Sequence, residues 1–307
     1  QILVGIYNMK RVLVLLSTYN GEKYLDEQLK SIFLQENVEV HVLARDDGSQ
    51  DKTLEILKMW AQNGKLKWYS GENLKPARSF LDLICAAEDY DYYALSDQDD
   101  YWLPDKLYTA VTALEKNKAQ LYYSATTVVD SNLHVLPQIE YPQEDYNFFE
   151  SLMYNHISGC TMVFDARLRG VLKNYIPQNI IMHDWWLMLV CKALDMKTVY
   201  DPVSRILYRQ HEKNCVGLKK AFPLKYWLHC LFKEQNNMSI MLGELLEGYR
   251  DSLKVEKVDT ICLLIQSKSS IVARIKVLSD KRLHINSSTA WNKENIGFAL
   301  KIIAGRI

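Results

Sequence analysis

The first part of the chain repeats one pattern: a short strand-like segment, continuously apolar in the first case (residues 12–16), then residues spaced as a helix. Residues 12–16, 38–44, 66–69 and 92–95 are these segments. A stretch that is apolar at consecutive rather than alternate positions suits a strand covered on both faces, as in a parallel sheet. After the first run Leu25, Leu29, Ile32 and Phe33 recur at helical spacing. Residues 53–60 and 79–87 read as two more helices, with Asp51 placed to cap the first of them. This alternation predicts an open α/β, mostly parallel sheet of the Rossmann-like kind, with helices on both faces.

Beyond residue 120 the pattern is mixed. Residues 121–129 and 160–164 read as strands, 185–194 as a helix, and 135–147 as a polar loop able to lie over a site. After about residue 216 the chain is mainly helical. Met9 immediately precedes the first strand, so residues 1–8 are expected to be an N-terminal extension. Lys+Arg and Asp+Glu both number 37, and this balance excludes a histone-like, nucleic-acid-coating protein. None of the six cysteines forms a CxxC pair, which reads as reduced thiols in a cytoplasmic protein. No stretch approaches the roughly 18 apolar residues of a membrane helix, and the segment QILVGIYNMK has neither the basic region nor the cleavage site of a signal peptide.

In an open α/β sheet, ligands bind beyond the carboxyl ends of the strands. Three polar clusters fall there: residues 17–21 (STYNG), 46–49 (DDGS) and 96–100 (SDQDD). The last is the most informative. Three carboxylates beside a buried strand repel one another, and a divalent cation relieves that conflict. Asp97 and Asp99 alternate in an extended segment, so both can face one way. Oxygen ligands favour Mg²⁺ or Mn²⁺, whose shells are completed by phosphates and water. The structural alternative is a solvated acidic turn ahead of a helix starting near Pro104. No GxGxxG follows the first strand and no GxxxxGK[ST] occurs anywhere, which disfavours a dinucleotide dehydrogenase or a P-loop NTPase.

These three clusters, with Asp51, Tyr101 and Trp102, resemble the signature of glycosyltransferase family 2, which has the GT-A fold. His183-Asp184-Trp185-Trp186 and Tyr208-Arg209-Gln210-His211 with Asn214 are similar to bacterial rhamnosyltransferases of cell-wall, capsular and O-antigen polysaccharide synthesis. The resemblance implies a catalytic domain over residues 9–217 and a helical C-terminal region over 218–307. It implies a metal-dependent, inverting transfer of a sugar, rhamnose from dTDP-rhamnose, onto a glycan or lipid-linked glycan.

The roles it implies are specific. Tyr19 lies along the nucleotide base with Ser17 beside it, and Asp46 accepts the base imide N–H. Asp97 and Asp99 form the DxD element that contacts the ribose and holds Mg²⁺ or Mn²⁺, with His211 as a further ligand. Arg78 sits on the donor side, although Asn73-Leu74-Lys75 departs from the family's Asn-x-Gly. Arg209 offsets diphosphate charge. Asp184 is the catalytic base, and Trp185 and Trp186 give it a sugar-stacking, apolar wall. Read structurally instead, Asp184 is an N-cap, His211 a hydrogen-bonded framework residue, and Arg78 a surface arginine. A nucleotidyltransferase and a non-catalytic nucleotide-sugar or glycan-binding module are the competing readings. The former would need a Gly-rich basic loop after the first strand, which residues 17–21 lack.

The tail adds a separate signal. Residues 268–307 hold eight Lys/Arg against Asp280 and Glu294, and Phe222, Trp227, Leu228, Leu231 and Phe232 alternate with four lysines. Such a region suits an anionic membrane surface at the inner face of the cell membrane. It equally suits a helical subdomain packed on the core, or a homodimer interface.

Overall fold

The computed structural model describes residues 9–62, 64–137, 145–153, 155–212, 238–283 and 293–307. The N-terminal extension 1–8, Asn214, the aromatic–lysine stretch 219–233 and part of the loop expected over 135–147 lie outside the described residues. The chain divides into two compact units. One is Gln1–Gln143, Ser158–Lys173 and Lys197–Lys213; the other is Glu144–Ile157, Asn174–Met196 and Asn214–Ile307.

The first unit begins as the strand-like segments require: β1 (Arg11–Thr18), α1 (Leu25–Phe33), β2 (Glu39–Asp46), α2 (Thr53–Ala61), β3 (Leu66–Ser70), α3 (Lys75–Ala86) and β4 (Tyr92–Ser96). After β4 come β5 (Tyr101–Trp102), α4 (Lys106–Asn117), β6 (Leu121–Ser124) and β7 (Thr127–Val129). In the chain α5 (Phe148–Ser151), β8 (Val163–Asp165), α6 (Ala166–Asn174), α7 (His183–Ala193), β9 (Thr198–Asp201) and β10 (Ile206–Arg209) follow. Seven strands form one sheet in the order β3-β2-β1-β4-β8-β6-β9. It is parallel except at β8, which runs antiparallel to both β4 and β6. The mostly parallel, helix-flanked sheet thus matches the expected architecture.

β1 pairs with β2 over its whole length and with β4 on the other side, and Val12, Val14, Leu15 and Leu16 are fully buried. Leu25, Leu29 and Ile32 of α1 pack into the same core with Val42 and Leu57. Asp26 joins α1 to α2 by accepting from Trp60 Nε1 at 3.0 Å, beside a stacked Phe33–Trp60 pair. The N-cap position of α2 is Lys52 rather than the expected Asp51, which stands one residue earlier and accepts from the Thr53 N–H at 3.0 Å. α3 starts four residues earlier than the apolar periodicity suggested, because Pro76 suits a first helical turn.

The run 121–129 is two strands, not one. β6 belongs to the large sheet. β7 joins a small three-stranded sheet, β5-β10-β7, in which β10 runs parallel to β7 and antiparallel to β5. The break falls at the small polar residues Ser124 to Thr126, where the Ser124 hydroxyl bonds the Ala125 carbonyl and the Ala125 N–H bonds Asp201. The small sheet positions the site, because it returns residues 206–211 to the loop after β4.

In the second unit α7 is apolar nearly all round, as a fully packed helix should be. Lys257, from the helix Val255–Ser267, caps its far end: its Nζ donates to the carbonyls of Lys192 and Ala193 and to Asp195. Glu244, from the helix Met238–Tyr249, accepts from Tyr175, from both N–H groups of Asn179 and from the Gln178 backbone, fixing the segment that leads into α7. No described helix is long and apolar enough to cross a membrane.

Candidate active site

The loops that leave the carboxyl ends of β1, β2 and β4 are fastened to one another. Gln98 reaches from the β4 loop to the backbone of Tyr19, accepting from its N–H at 2.8 Å and donating to its carbonyl at 2.9 Å. Asn20 lies at φ 49°, a region Asn tolerates. Its N–H donates to Ser49 Oγ and its side chain accepts from the Gln50 N–H. The Gly21 N–H donates to Thr53 Oγ1, and a Cβ at Gly21 would collide with the Gln98 amide. The convergence of the three polar clusters expected from sequence is therefore present in this unit.

Tyr19 is 47% exposed, an open ring at the end of β1. Ser17 Oγ lies 2.8 Å from Ser79 Oγ, which brings the first turn of α3, and with it the exposed Arg78, to the β1 end. Asp46 is different. It is fully buried, with Oδ1 accepting from Thr18 and Ser49 hydroxyls and Oδ2 from the Gly48 and Ser49 N–H groups at 3.0 and 2.9 Å. A carboxylate offers about four acceptor positions, and all are used. The expected bond from Asp46 to a base imide is therefore corrected: this carboxylate shapes its own turn. Its neighbour Asp47, also buried, pairs with Arg45 and accepts from the Leu74 N–H.

At the end of β4, Asp97 and Asp99 are part-exposed and Asp100 is buried. Asp99 Oδ2 lies 2.8 Å from His211 Nε2, and the imidazole stacks on Tyr24 at 5.0 Å. The small sheet thus brings His211 to Asp99 of the acidic loop. Arg209 is corrected. It is 2% exposed, and its guanidinium lies over the Tyr24 ring. It donates to the Asp99 carbonyl, the Ser131 carbonyl and Glu27. A guanidinium so committed anchors the β10 end to the acidic loop rather than meeting a diphosphate.

Behind the loop lies a buried polar group. One ligand atom from each of Asp97, Asp100 and Cys160 falls within 4.8 Å of the others, a candidate metal-coordinating cluster. Asp100 Oδ1 accepts from the Arg209 N–H at 3.1 Å, while Oδ2 has no hydrogen-bond partner among the described residues. Burial, then the charges of Asp99 and Asp97, pushes the Asp100 carboxyl well above its ordinary range. Burial, then the same kind of charge repulsion, pushes the Cys160 thiol up, so it stays protonated. Lys106 is also buried, its Nζ 3.5 Å from the Trp102 ring centre, and burial pushes it down to about 7. Carboxylates are the hard oxygen donors that Mn²⁺ or Mg²⁺ prefers, whereas a thiol is a soft one. The residues present therefore fit such an ion through the Asp97 and Asp100 carboxylates of the cluster, with Asp99, paired to His211, on the same loop.

In the second unit Asp184 lies inside the first turn of α7, whose N-cap position is Met182, so the N-cap reading is corrected. Its Oδ1 accepts from Asn155 Nδ2 at 2.8 Å and from the Trp185 N–H at 2.7 Å. Trp185 is 5% exposed and donates to the Ser151 carbonyl; Trp186 is fully buried and packs on Tyr249. Both indoles are core, which corrects their assignment as a sugar-stacking wall. His183 is buried too, and that burial lowers its pKa. Gln98, Tyr24, Glu27 and Asn155 were not singled out from sequence. Only Gln98, set between two aspartates of a polar cluster, carried any signal there.

Sheet, acidic loops and returning histidine together define a nucleotide-sugar transferase of the GT-A-like kind. The chain belongs to glycosyl transferase family 2, whose pattern it matches over residues 13–175. It is 34% identical over 231 residues to the dTDP-rhamnosyl transferase RfbG of Shigella flexneri, a match covering 69% of this chain and 76% of that one. Among solved structures it is similar to S. aureus TarS 1-349 in complex with UDP-GlcNAc (TM-score 0.57, 17% identity, 95% of this chain and 90% of the other). It is also similar to the mannosyltransferase PcManGT from Pyrobaculum calidifontis in complex with GDP-Man and Mn²⁺ (TM-score 0.54, 14% identity, 97% and 88%). At these identities the two structures speak for the fold.

Proposed function

We propose that the chain transfers rhamnose from dTDP-rhamnose to a glycan acceptor, with inversion at the anomeric carbon, in the synthesis of a bacterial surface polysaccharide on the cytoplasmic side of the membrane. The observation that carries this reading is the Asp99–His211 pair beside a part-exposed Asp97, at the sheet edge where the Tyr19 ring stands open. The extended similarity to a dTDP-rhamnosyl transferase supports the choice of donor.

In this reading the Tyr19 ring stacks on the base and Gln98 holds that tyrosine's backbone in place. Arg78, exposed at the start of α3, faces the donor. A divalent cation held by the carboxylates of the acidic loop, with His211 beside them, would neutralise charge on the leaving diphosphate. Asp184 takes the proton of the acceptor hydroxyl as that oxygen attacks the anomeric carbon from the face opposite the leaving group. Asn155, donating to Asp184 Oδ1, orients the carboxylate. The transition state has oxocarbenium character, so both charges, leaving diphosphate and accepting carboxylate, act where positive charge develops on the sugar.

The test is a transfer assay with dTDP-rhamnose and UDP-glucose as rival donors, and NMR of the product's anomeric configuration. The expected result is rhamnosyl transfer with inversion, abolished by chelation and restored by Mn²⁺. Retention, or preference for UDP-glucose, would overturn the corresponding part. Asp184→Asn should bind donor normally while turnover falls on the order of 10²–10⁴-fold. Wild-type turnover in that variant would remove Asp184 from its role.

A further inference from the structure

The helix Ile271–Ser279 is apolar on two sides. Ser270 caps its start by accepting from the Ala273 N–H, and Ala273 and Val277 face inward and are buried. That face accounts for the helix's place in its unit. Yet Ile271, Val272 and Ile275 are 69%, 63% and 60% exposed. At 100° per residue these three fall within one quadrant or so of the helix, opposite the buried side. Arg274 extends the surface: it donates to the Ser267 and Lys268 carbonyls and, through Nη1, to the carbonyl of Ile303, itself exposed. β-Branched aliphatics gain nothing from facing water, and three of them on one side of this helix call for a partner.

Basic residues predominate in the segment itself, although Glu256 and Asp259 of the neighbouring helix are exposed and act on Arg282. Lys268, Lys276 and Lys281 are exposed in the same segment, with Lys268 Nζ 3.4 Å from Ser239 Oγ. The acid of the segment, Asp280, is taken by Arg282, which donates to both its oxygens. We infer that this lysine-rimmed aliphatic face is a docking surface for an anionic lipid bilayer, on which the helix lies in the interfacial plane. Aliphatic side chains enter the headgroup–acyl boundary while the lysines meet lipid phosphates. Lysine stems of this length bury their methylenes and keep the ammonium at headgroup level. A second copy of the chain fits less well, because a two-fold interface brings a patch against itself and would set these lysines against lysines. The inference is independent of the sugar transferred and of the role of Asp184.

Vesicle flotation of the full chain tests it, with phosphatidylcholine vesicles and with phosphatidylcholine–phosphatidylglycerol vesicles. The protein should float with the anionic vesicles at low salt, and far less with the neutral ones. The triple variant Ile271→Ser, Val272→Ser, Ile275→Ser should lower the bound fraction about tenfold, and Lys268→Glu, Lys276→Glu, Lys281→Glu at least as much. These side chains are exposed, so melting temperature and transfer to a water-soluble acceptor should stay at wild-type values. Flotation that is absent in the wild type, or equal in the aliphatic variant, would overturn the inference. So would light scattering that shows a dimer dissolved by the same aliphatic substitutions.

Discussion

The turns after β2 and β4 have nearly the same composition and opposite uses. Both follow a buried parallel strand and both open with adjacent polar and acidic residues. In the first, Asp46 is enclosed by Thr18, Gly48 and Ser49, and its lone pairs are spent on its own turn. In the second, Asp97 and Asp99 are part-exposed, and the hydrogen-bonding is done by the intervening Gln98 and by Arg209. A carboxylate becomes available to a ligand when some other residue satisfies the backbone around it. Acidic residues at a sheet edge are thus sorted into framework and site by their hydrogen-bond accounting, not by their place in a motif.

That contrast can be broken most directly at Asp99. Asp99→Ala should lower turnover on the order of 10²–10⁴-fold while scarcely moving the melting temperature. Calorimetry should show that Mn²⁺-dependent nucleotide affinity goes with it; affinity unchanged with and without Mn²⁺ would make the second turn a mere framework. Asp46→Ala should do the reverse. Stranding buried donors costs on the order of 3 kcal/mol, seen as a fall of roughly 6–12 °C in melting temperature for a chain of this size. A variant that melts normally but loses nucleotide binding would return Asp46 to the ligand. Gln98→Ala, which removes two bonds to the Tyr19 backbone, should raise the donor KM about tenfold with a smaller change in kcat.

A further effect, on stability alone, concerns the buried side of the second turn. Burial holds the Lys106 amine at about 7, below its ordinary 10.5. Across that interval the unfolded chain keeps a proton that the folded chain has shed, so stability rises with pH there, and the cost of a buried ammonium is full below it. Lys106→Met should therefore melt higher than the wild type near about pH 6, with the gap closing towards about pH 10. A gap independent of pH would mean the amine is not the source.

The strands and helices through β4 were legible because each strand-like segment, led by the unbroken run at residues 12–16, is followed by apolar residues at helical spacing. β5, β9 and β10 were missed because strands of two to four residues such as Ile206–Arg209 carry no periodic signal and are held by their neighbours. The site was half legible. The turns that hold Tyr19, Asp97 and Asp99 converge as expected, since each follows an expected strand end, whereas His211 reaches Asp99 on a strand the sequence did not reveal. Asp46, Arg209, Trp185 and Trp186 were misjudged for one reason: a sequence does not show how many partners a side chain already has. Asn155 lies outside every motif and reaches Asp184 across 29 positions of chain.

Gln98 grips Tyr19 by its peptide groups and leaves the phenol alone. Residue 19 is therefore interchangeable in a way its neighbours are not: Gly21 has no room for a methyl beside that amide, whereas the ring at 19 can be swapped for another flat or smaller side chain without loosening the loop. Under the stacking role proposed for this ring, retuning the base side of the site should start at this one position, with the scaffold that presents it left as it stands.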